Sequence, residues 1–473
     1  MEQPETQATL AFTSLTEQVA LVAAGAVSSV DLVEHSLAQI ERVNPDLNAF
    51  VTVIAQRALD EAASRDALAA TGAELGPLHG VPIVIKDEND VEGTRTTYGG
   101  AAVTRVAPRD AELVRRLRAA GAVIVGKTTM PEFGLWPYTE SLANGVTRNP
   151  WDRMRSTAGS SGGTAAAVAS GMVAMGIGGD GGGSIRLPAS WCGLYGLKPQ
   201  RGRVSAAPHA ALWRALGTAG PLTRTVADSA LVYDVIAGTI DGDRYRAEPW
   251  SRSLVAAKTA PVPRLRILVV EANPGGGPAA DADTIAALHA SAQALRELGH
   301  EVREGTLPKI GFSLDFMSLV AAGVADEVAT LDRPDLIEAR NRSGIRLTRL
   351  LARRADAAER AALGPISAKV NVVFDDVDLV LMPSTPTAAQ PIGALDGLGF
   401  ARASLRATGV ASFTSIWNVT GNPAAAIPAG FTADGLPLSV QLVGRHHDEP
   451  TIIAVSAQLE RARPWVHRRP PGL

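Results

Sequence analysis

Three residues of this chain have the chemistry and the surroundings to cleave an acyl bond without a histidine. Lys86 ends the apolar run V-P-I-V-I-K. Ser160 and Ser184 stand in two glycine-flanked turns, A-G-S-S-G-G and G-D-G-G-G-S-I-R, separated by a short apolar segment. A lysine surrounded by Val81, Ile83, Val84 and Ile85 is penalised as an ammonium and favoured as a neutral base. Such an amine and two serines held in glycine-rich turns form a possible acyl-transfer machine. Gly181, Gly182, Gly183 and Ser184 offer consecutive backbone N–H groups free of side-chain obstruction, a nest for a developing oxyanion. Asp180 can set that turn by accepting backbone hydrogen bonds, and Arg186 can buttress it.

Other readings of the same residues fail on context. Gly159-Ser160-Ser161-Gly162-Gly163 also matches G-x-S-x-G with Ser161 as nucleophile, but that elbow must follow a buried strand. Here it follows N-P-W-D-R-M-R-S-T-A, which is polar and holds a proline. Gly176-x-Gly178-x-x-Gly181 matches a dinucleotide fingerprint, yet no Asp or Glu occurs between Asp180 and Asp228 to bind a ribose. The eight histidines show neither H-E-x-x-H nor Cys/His spacing, so no metal is expected and the chemistry asks for no cofactor. The one cysteine, Cys192, leaves no internal disulfide. It reads as a buried structural thiol in a reducing, cytoplasmic setting.

Groups of this kind need rigid supports. Short apolar strands at 81–86, 122–127 and 173–178 alternate with helices at about 109–120 and 162–170. Helices also read at 14–44 and 52–70. Later strands are expected at 265–270, 301–303, 378–383 and 437–444, and helices at 282–298 and 449–462. Residues 324–370, with Arg340, Arg342, Arg346, Arg349, Arg353 and Arg354, read as wholly helical, the arginines forming a solvated face. Residues 256–264 and 273–280 read as linkers. This alternation predicts an α/β sheet covered by helices on both faces. Neither linker is long enough to require a second domain, so residues 1–473 read as one.

A net charge of −3, with 20% charged and 4% aromatic residues, argues against a nucleic-acid partner. The N-terminus, M-E-Q-P-E-T-Q-A-T-L, lacks the features of a signal peptide. Ser156–Gly179 is uncharged and about long enough to span a bilayer, but seven of its residues are glycine. A packed loop and buried helix suits it better than a membrane span.

The stretches G-S-S-G-G-T-A-A-A-V-A-S-G and G-D-G-G-G-S-I-R-L-P-A-S-W-C-G-L-Y-G-L-K-P resemble the amidase signature family. So do P-L-H-G-V-P-I-V-I-K-D, T-R-N-P-W-D, G-P-L-T-R-T-V-A-D and N-V-T-G-N-P-A-A-A-I-P-A-G, in the right order across most of the chain. The resemblance implies a layered α/β/α body with a large twisted mixed sheet. Its signature core would span about 75–235, with a helical, substrate-shaping region at about 310–370. It also implies a triad of Ser184 as nucleophile, Ser160 as the cis-serine and Lys86, with Gly181 to Ser184 as oxyanion donors. Ala158, Gly179 and Gly181 depart from the family's usual residues.

Residues 205–221 lack the segment expected of an aminoacyl-tRNA amidotransferase A subunit, which favours a stand-alone hydrolase, monomeric or homodimeric, over a subunit acting only in a complex. Phe133, Gly134, Leu135, Trp136 and Tyr138 match a family stretch that lines the acyl pocket. With Trp213, Trp417 and residues 312–320, they suggest an apolar or aryl amide substrate. Esters and carbamates present the same carbonyl, so urethane cleavage is the alternative main activity. Water is the second substrate.

Overall fold

The strand at 81–86 was expected because β-branched residues dominate it. In the computed structural model, which describes residues 10–209, 212–274 and 276–473, Pro82–Lys86 is an interior strand buried along its whole length. It belongs to an eleven-stranded sheet. The strands in chain order are β1 (Phe50–Val53), β2 (Pro82–Lys86), β3 (Val123–Thr128), β4 (Met175–Gly179), β5 (Tyr195–Lys198) and β6 (Ala219–Thr223). They continue as β7 (Arg266–Val269), β8 (Glu301–Glu304), β9 (Leu379–Pro383), β10 (Ala424–Phe431) and β11 (Pro437–Gly444). Their order across the sheet is β1-β3-β2-β4-β6-β5-β10-β11-β9-β7-β8. Pairing is parallel for β3-β2-β4 and for β9-β7-β8, and antiparallel for the strands between, so the sheet is mixed.

The pleat sends alternate side chains to opposite faces, and both faces are buried. Ile83 and Ile85 of β2 and Ile124 of β3 join one core cluster with the helices at Glu112–Ala119, Val226–Ile236 and Glu449–Ala462. Val84, Val123 and Val125 point the other way, into a cluster with the helix at Ser29–Leu47 and with α1 (Gly162–Ala169). Further along the second face, Val380 and Met382 of β9 pack with Leu319 and Val320 of a helix spanning Ser313–Val328. The expected layering is present.

Several elements depart from the sequence expectation. Strands β1, β5, β6 and β10 were not foreseen. The segment read as wholly helical at 324–370 breaks after Val328 and resumes at Ala339. Pro334 opens a short 3-10 turn between, where its ring suits the first helical position rather than an interior. The linker expected at 256–264 begins inside a helix, Leu254–Thr259, capped by Ser253 Oγ accepting from Ala256 N–H. The N-terminal reading rests on residues 1–9, which lie outside the described residues, as do residues 210 and 211 of the 205–221 segment and Gly275. Among the described residues no helix is long and apolar enough to cross a membrane.

Candidate active site

Strands β2 and β4 run parallel and adjacent, with Ile85 opposite Ile177. Their carboxyl ends therefore open at one edge of the sheet, where parallel sheets present ligand sites. Lys86 is the last residue of β2. Gly181–Ser184 is the turn between β4 and the helix α2 (Arg186–Cys192). Ser160 lies in the turn before α1, on a cis Gly159–Ser160 peptide.

These placements converge. Lys86 Nζ donates to Ser160 Oγ at 2.8 Å in a buried setting. The turns of Ser160 and Ser184 are tied together by Ser161 N–H donating to the Ser184 carbonyl at 3.3 Å. Among the described residues Ser184 Oγ makes no hydrogen bond. Such a link often tightens only when substrate fills the site.

Lys86 is not surrounded by apolar groups alone, as the sequence suggested. The carboxylate of Glu88 stands 2.9 Å from its Nζ. No sequence pattern singled out Glu88, but one departure from the family pattern bears on it. A Cβ on Gly179 would fall 1.8 Å from Glu88 Oε1, so the missing side chain at 179 makes the space that Glu88 occupies.

Asp180 and Arg186 are fully buried against each other. The Arg186 guanidinium contacts both Asp180 oxygens at 3.0 Å and donates to Gln441, Asn418 and the Thr414 carbonyl. Burial pushes the Asp180 carboxyl up, but the adjacent Arg186 charge and its hydrogen bonds outweigh that and hold it down at about 2. Asp180 accepts from Gly183 N–H at 2.7 Å and from Ile185 N–H at 3.2 Å. Gly183 is therefore committed to the turn, whereas the N–H groups of Gly181, Gly182 and Ser184 make no hydrogen bond among the described residues. Gly183 has φ +132, and a Cβ there would strike Thr414 Oγ1 at 2.3 Å. Thr414 Oγ1 in turn donates to the Gly182 carbonyl at 2.7 Å.

Ser184 opens onto a largely apolar cavity. Gly134, Leu135, Trp136 and Trp213 line it as expected, as do Phe316, Met317 and Val320 from the 312–320 region. The remaining wall was not foreseen. It comes from Gly344, Ile345 and Thr348 on the helix Ala339–Ala352, and from Phe400, Ser404 and Ala407 on the helix Phe400–Val410. Three expected wall residues lie elsewhere. Phe133 adopts φ +55, which turns its ring into the core. Tyr138 is buried edge-on against Trp191 and donates to Gln390 at 2.7 Å. Trp417 is fully buried in the core.

Trp136 is fixed by donating from Nε1 to Asn341 Oδ1 at 2.9 Å, and Asn341 donates to Glu132 at 2.7 Å. Burial pushes the Glu132 carboxyl up to about 7 despite that bond, with the nearby Glu338 charge adding to the rise. Arg340 lies over the Trp136 ring at 5.4 Å, while Arg346, Arg349, Arg353 and Arg354 face solvent.

The alternative nucleophile is committed to structure. Ser161 Oγ is within 3.2 Å of both the Gly179 carbonyl and the Gly179 N–H. Cys192 is buried against the Thr157 carbonyl, and burial pushes its thiol up, away from reactivity.

Known proteins share this fold. The amidase family model matches residues 31–453. The protein called "Putative amidase AmiB2" of Mycobacterium tuberculosis (strain ATCC 25618 / H37Rv) is 44% identical over 98% of each chain. The acylamidase of Rhodococcus erythropolis is 35% identical, again over 98% of each chain. The solved structure of 6-aminohexanoate cyclic dimer hydrolase with its substrate superposes with a TM-score of 0.89. It is 32% identical, over 98% of this chain and 99% of that one.

Proposed function

The chain belongs to the amidase family and is a hydrolase of carbon–nitrogen bonds, and from that premise we propose that it cleaves amides of apolar or aryl acids through an acyl-enzyme on Ser184. The observation that carries this reading is the 2.8 Å bond from Lys86 Nζ to Ser160 Oγ beside a nucleophile that opens onto an apolar cavity. Lys86 takes the proton of Ser160, and Ser160 takes that of Ser184 as Ser184 Oγ bonds to the amide carbon. The carbonyl oxygen, now negative, lies against the N–H groups of Gly181, Gly182 and Ser184, which make no competing bond. Collapse breaks the C–N bond, and the proton returns through Ser160 to the departing nitrogen. Water then repeats the sequence on the acyl-enzyme and releases the acid. Glu88 holds the Lys86 amine in reach of Ser160.

The cavity wall supports apolar acyl groups, because Leu135, Phe316, Val320, Ile345 and Phe400 contribute no charge to it. Incubation with an anilide of a fatty or aryl acid, followed by mass mapping, should place an acyl adduct on Ser184, and Ser184→Ala should abolish turnover with the fold retained. An adduct on Ser161, or full activity in Ser184→Ala, would overturn the assignment. Turnover by the purified chain without a partner separates this reading from that of an obligate subunit.

A further inference from the structure

A second cavity shares Trp213 with the first. The indole packs on the oxyanion turn, where a Cβ on Gly181 would fall 2.3 Å from its ring. The cavities divide the proposed relay between them. Ser184 opens onto the apolar one, and Ser160 onto the second. In the mechanism above Ser184 bonds to the acyl carbon and Ser160 protonates the departing nitrogen. A substrate in register with both must lay its acid in the apolar cavity and its amine in the second.

The second cavity has a different chemistry. Its charged wall groups are mostly neutralised by partners, with Glu88 on Lys86 at 2.9 Å, Asp180 on Arg186 at 3.0 Å and Arg214 on Asp326 at 2.7 Å. Arg244 meets Glu359 at 2.8 Å, and His209 meets Asp90 at 2.7 Å. Asp243 is the exception. It accepts from Ser205 Oγ and from the N–H groups of Ala206 and Ile240, and among the described residues no cation pairs with it. Two further wall atoms, Asn89 Nδ2 and Thr218 Oγ1, are buried with no hydrogen-bond partner. Buried polar atoms left unpaired are costly, and their clustering on one cavity marks it as a place that a polar group completes.

We propose that this cavity is the subsite for the amine half of the substrate, and that it selects amines carrying a second cationic, hydrogen-bonding group. The surplus carboxylate of Asp243 favours the cation, and Asn89 and Thr218 supply hydrogen bonds along the way. This rests on the acyl-enzyme reading above. The chemistry is unchanged: the C–N bond breaks, the acyl carbon stays on Ser184 Oγ, and the proton delivered by Ser160 completes the departing amine.

The test holds one apolar acid constant and varies the amine among butylamine, 1,4-diaminobutane acylated on one nitrogen, and 4-aminobutanoate. The diamine amide should exceed the butylamide in kcat/KM by about tenfold, with the aminobutanoate amide the poorest. Asp243→Asn should erase the diamine advantage while leaving the butylamide rate unchanged. Asn89→Leu, which alters the same wall, should reduce the advantage and serves if the first variant does not fold. Equal rates on the three amides, or a preference unaffected by both variants, would overturn the subsite. If none of the amides acylates Ser184, the acyl-enzyme reading fails by itself. Calorimetric binding of 1,4-diaminobutane to the parent chain and to Asp243→Asn then decides the subsite, a loss in the variant supporting it and equal binding overturning it.

Discussion

Replacing Arg186 by methionine removes the cation from a buried carboxylate. Asp180 and Arg186 are both completely buried, and Asp180 lies at about 2 against an ordinary 3.8. That difference corresponds to stability on the order of 2–3 kcal/mol. Removal of one partner of a buried pair typically costs about 3–5 kcal/mol. Asp180 would still accept from Gly183 N–H, Ile185 N–H and Asn418 Nδ2, so the lower end, about 3 kcal/mol, is expected. The sign with pH follows from the depressed value. In the parent chain this stability is fully present above about pH 4 and is lost as pH falls through about 2. Denaturant unfolding followed by circular dichroism at pH 7, with melting temperatures between pH 3 and 7, measures both effects. Activity should fall further than stability alone explains, because the same carboxylate holds Gly183 and with it the donors beside Ser184. A loss below about 1 kcal/mol with activity intact would refute the claim that this pair fixes the oxyanion turn.

Other outcomes follow from the same geometry. Glu132, raised from 4.5 to about 7, stabilises the fold fully below about pH 4.5, and that contribution is lost as pH rises through about 7. The span is about 3 kcal/mol. Glu132→Gln should flatten this part of the melting-temperature profile, and an unchanged slope would place its origin elsewhere, for example at Glu460, also raised to about 7. Gly179→Ala should push the Glu88 carboxylate off Lys86 and lower kcat by about tenfold or more, with little change in KM or melting temperature. Unaltered kcat would show that Glu88 does not hold the amine.

The chemistry of this chain was more legible than its walls. Lys86, Ser160 and Ser184 stand out because of their residue types and the apolar run and glycines that flank them. Strand β10 did not, since A-A-A-I-P-A-G-F is poor in β-branched residues and is held in place by pairing with β5 and β11 on either side. Glu88 was invisible for a different reason. A carboxylate after Lys86-Asp87 has no period to betray it, and only the empty space at Gly179 explains its position. The far wall was hidden by the arginines of 340–354, whose exposed face drew attention from Gly344, Ile345 and Thr348 on the inner face. Phe133 and Tyr138 were misplaced because a local turn, rather than residue character, decides where their rings point.

The far wall of the apolar cavity enters the chain as excursions. The helices at Ser313–Val328 and Ala339–Ala352 lie between β8 and β9, and Phe400–Val410 lies between β9 and β10. Lys86, Ser160 and Ser184 all precede them in sequence. The far wall of the cavity and the proposed relay are thus written in separate stretches of the polypeptide, so residues 313–410 can be rewritten to reshape that wall while residues 82–192, which carry the relay and the near wall at Gly134–Trp136, stay intact. For an engineer the same partition marks where a library should be drawn, and where it should not.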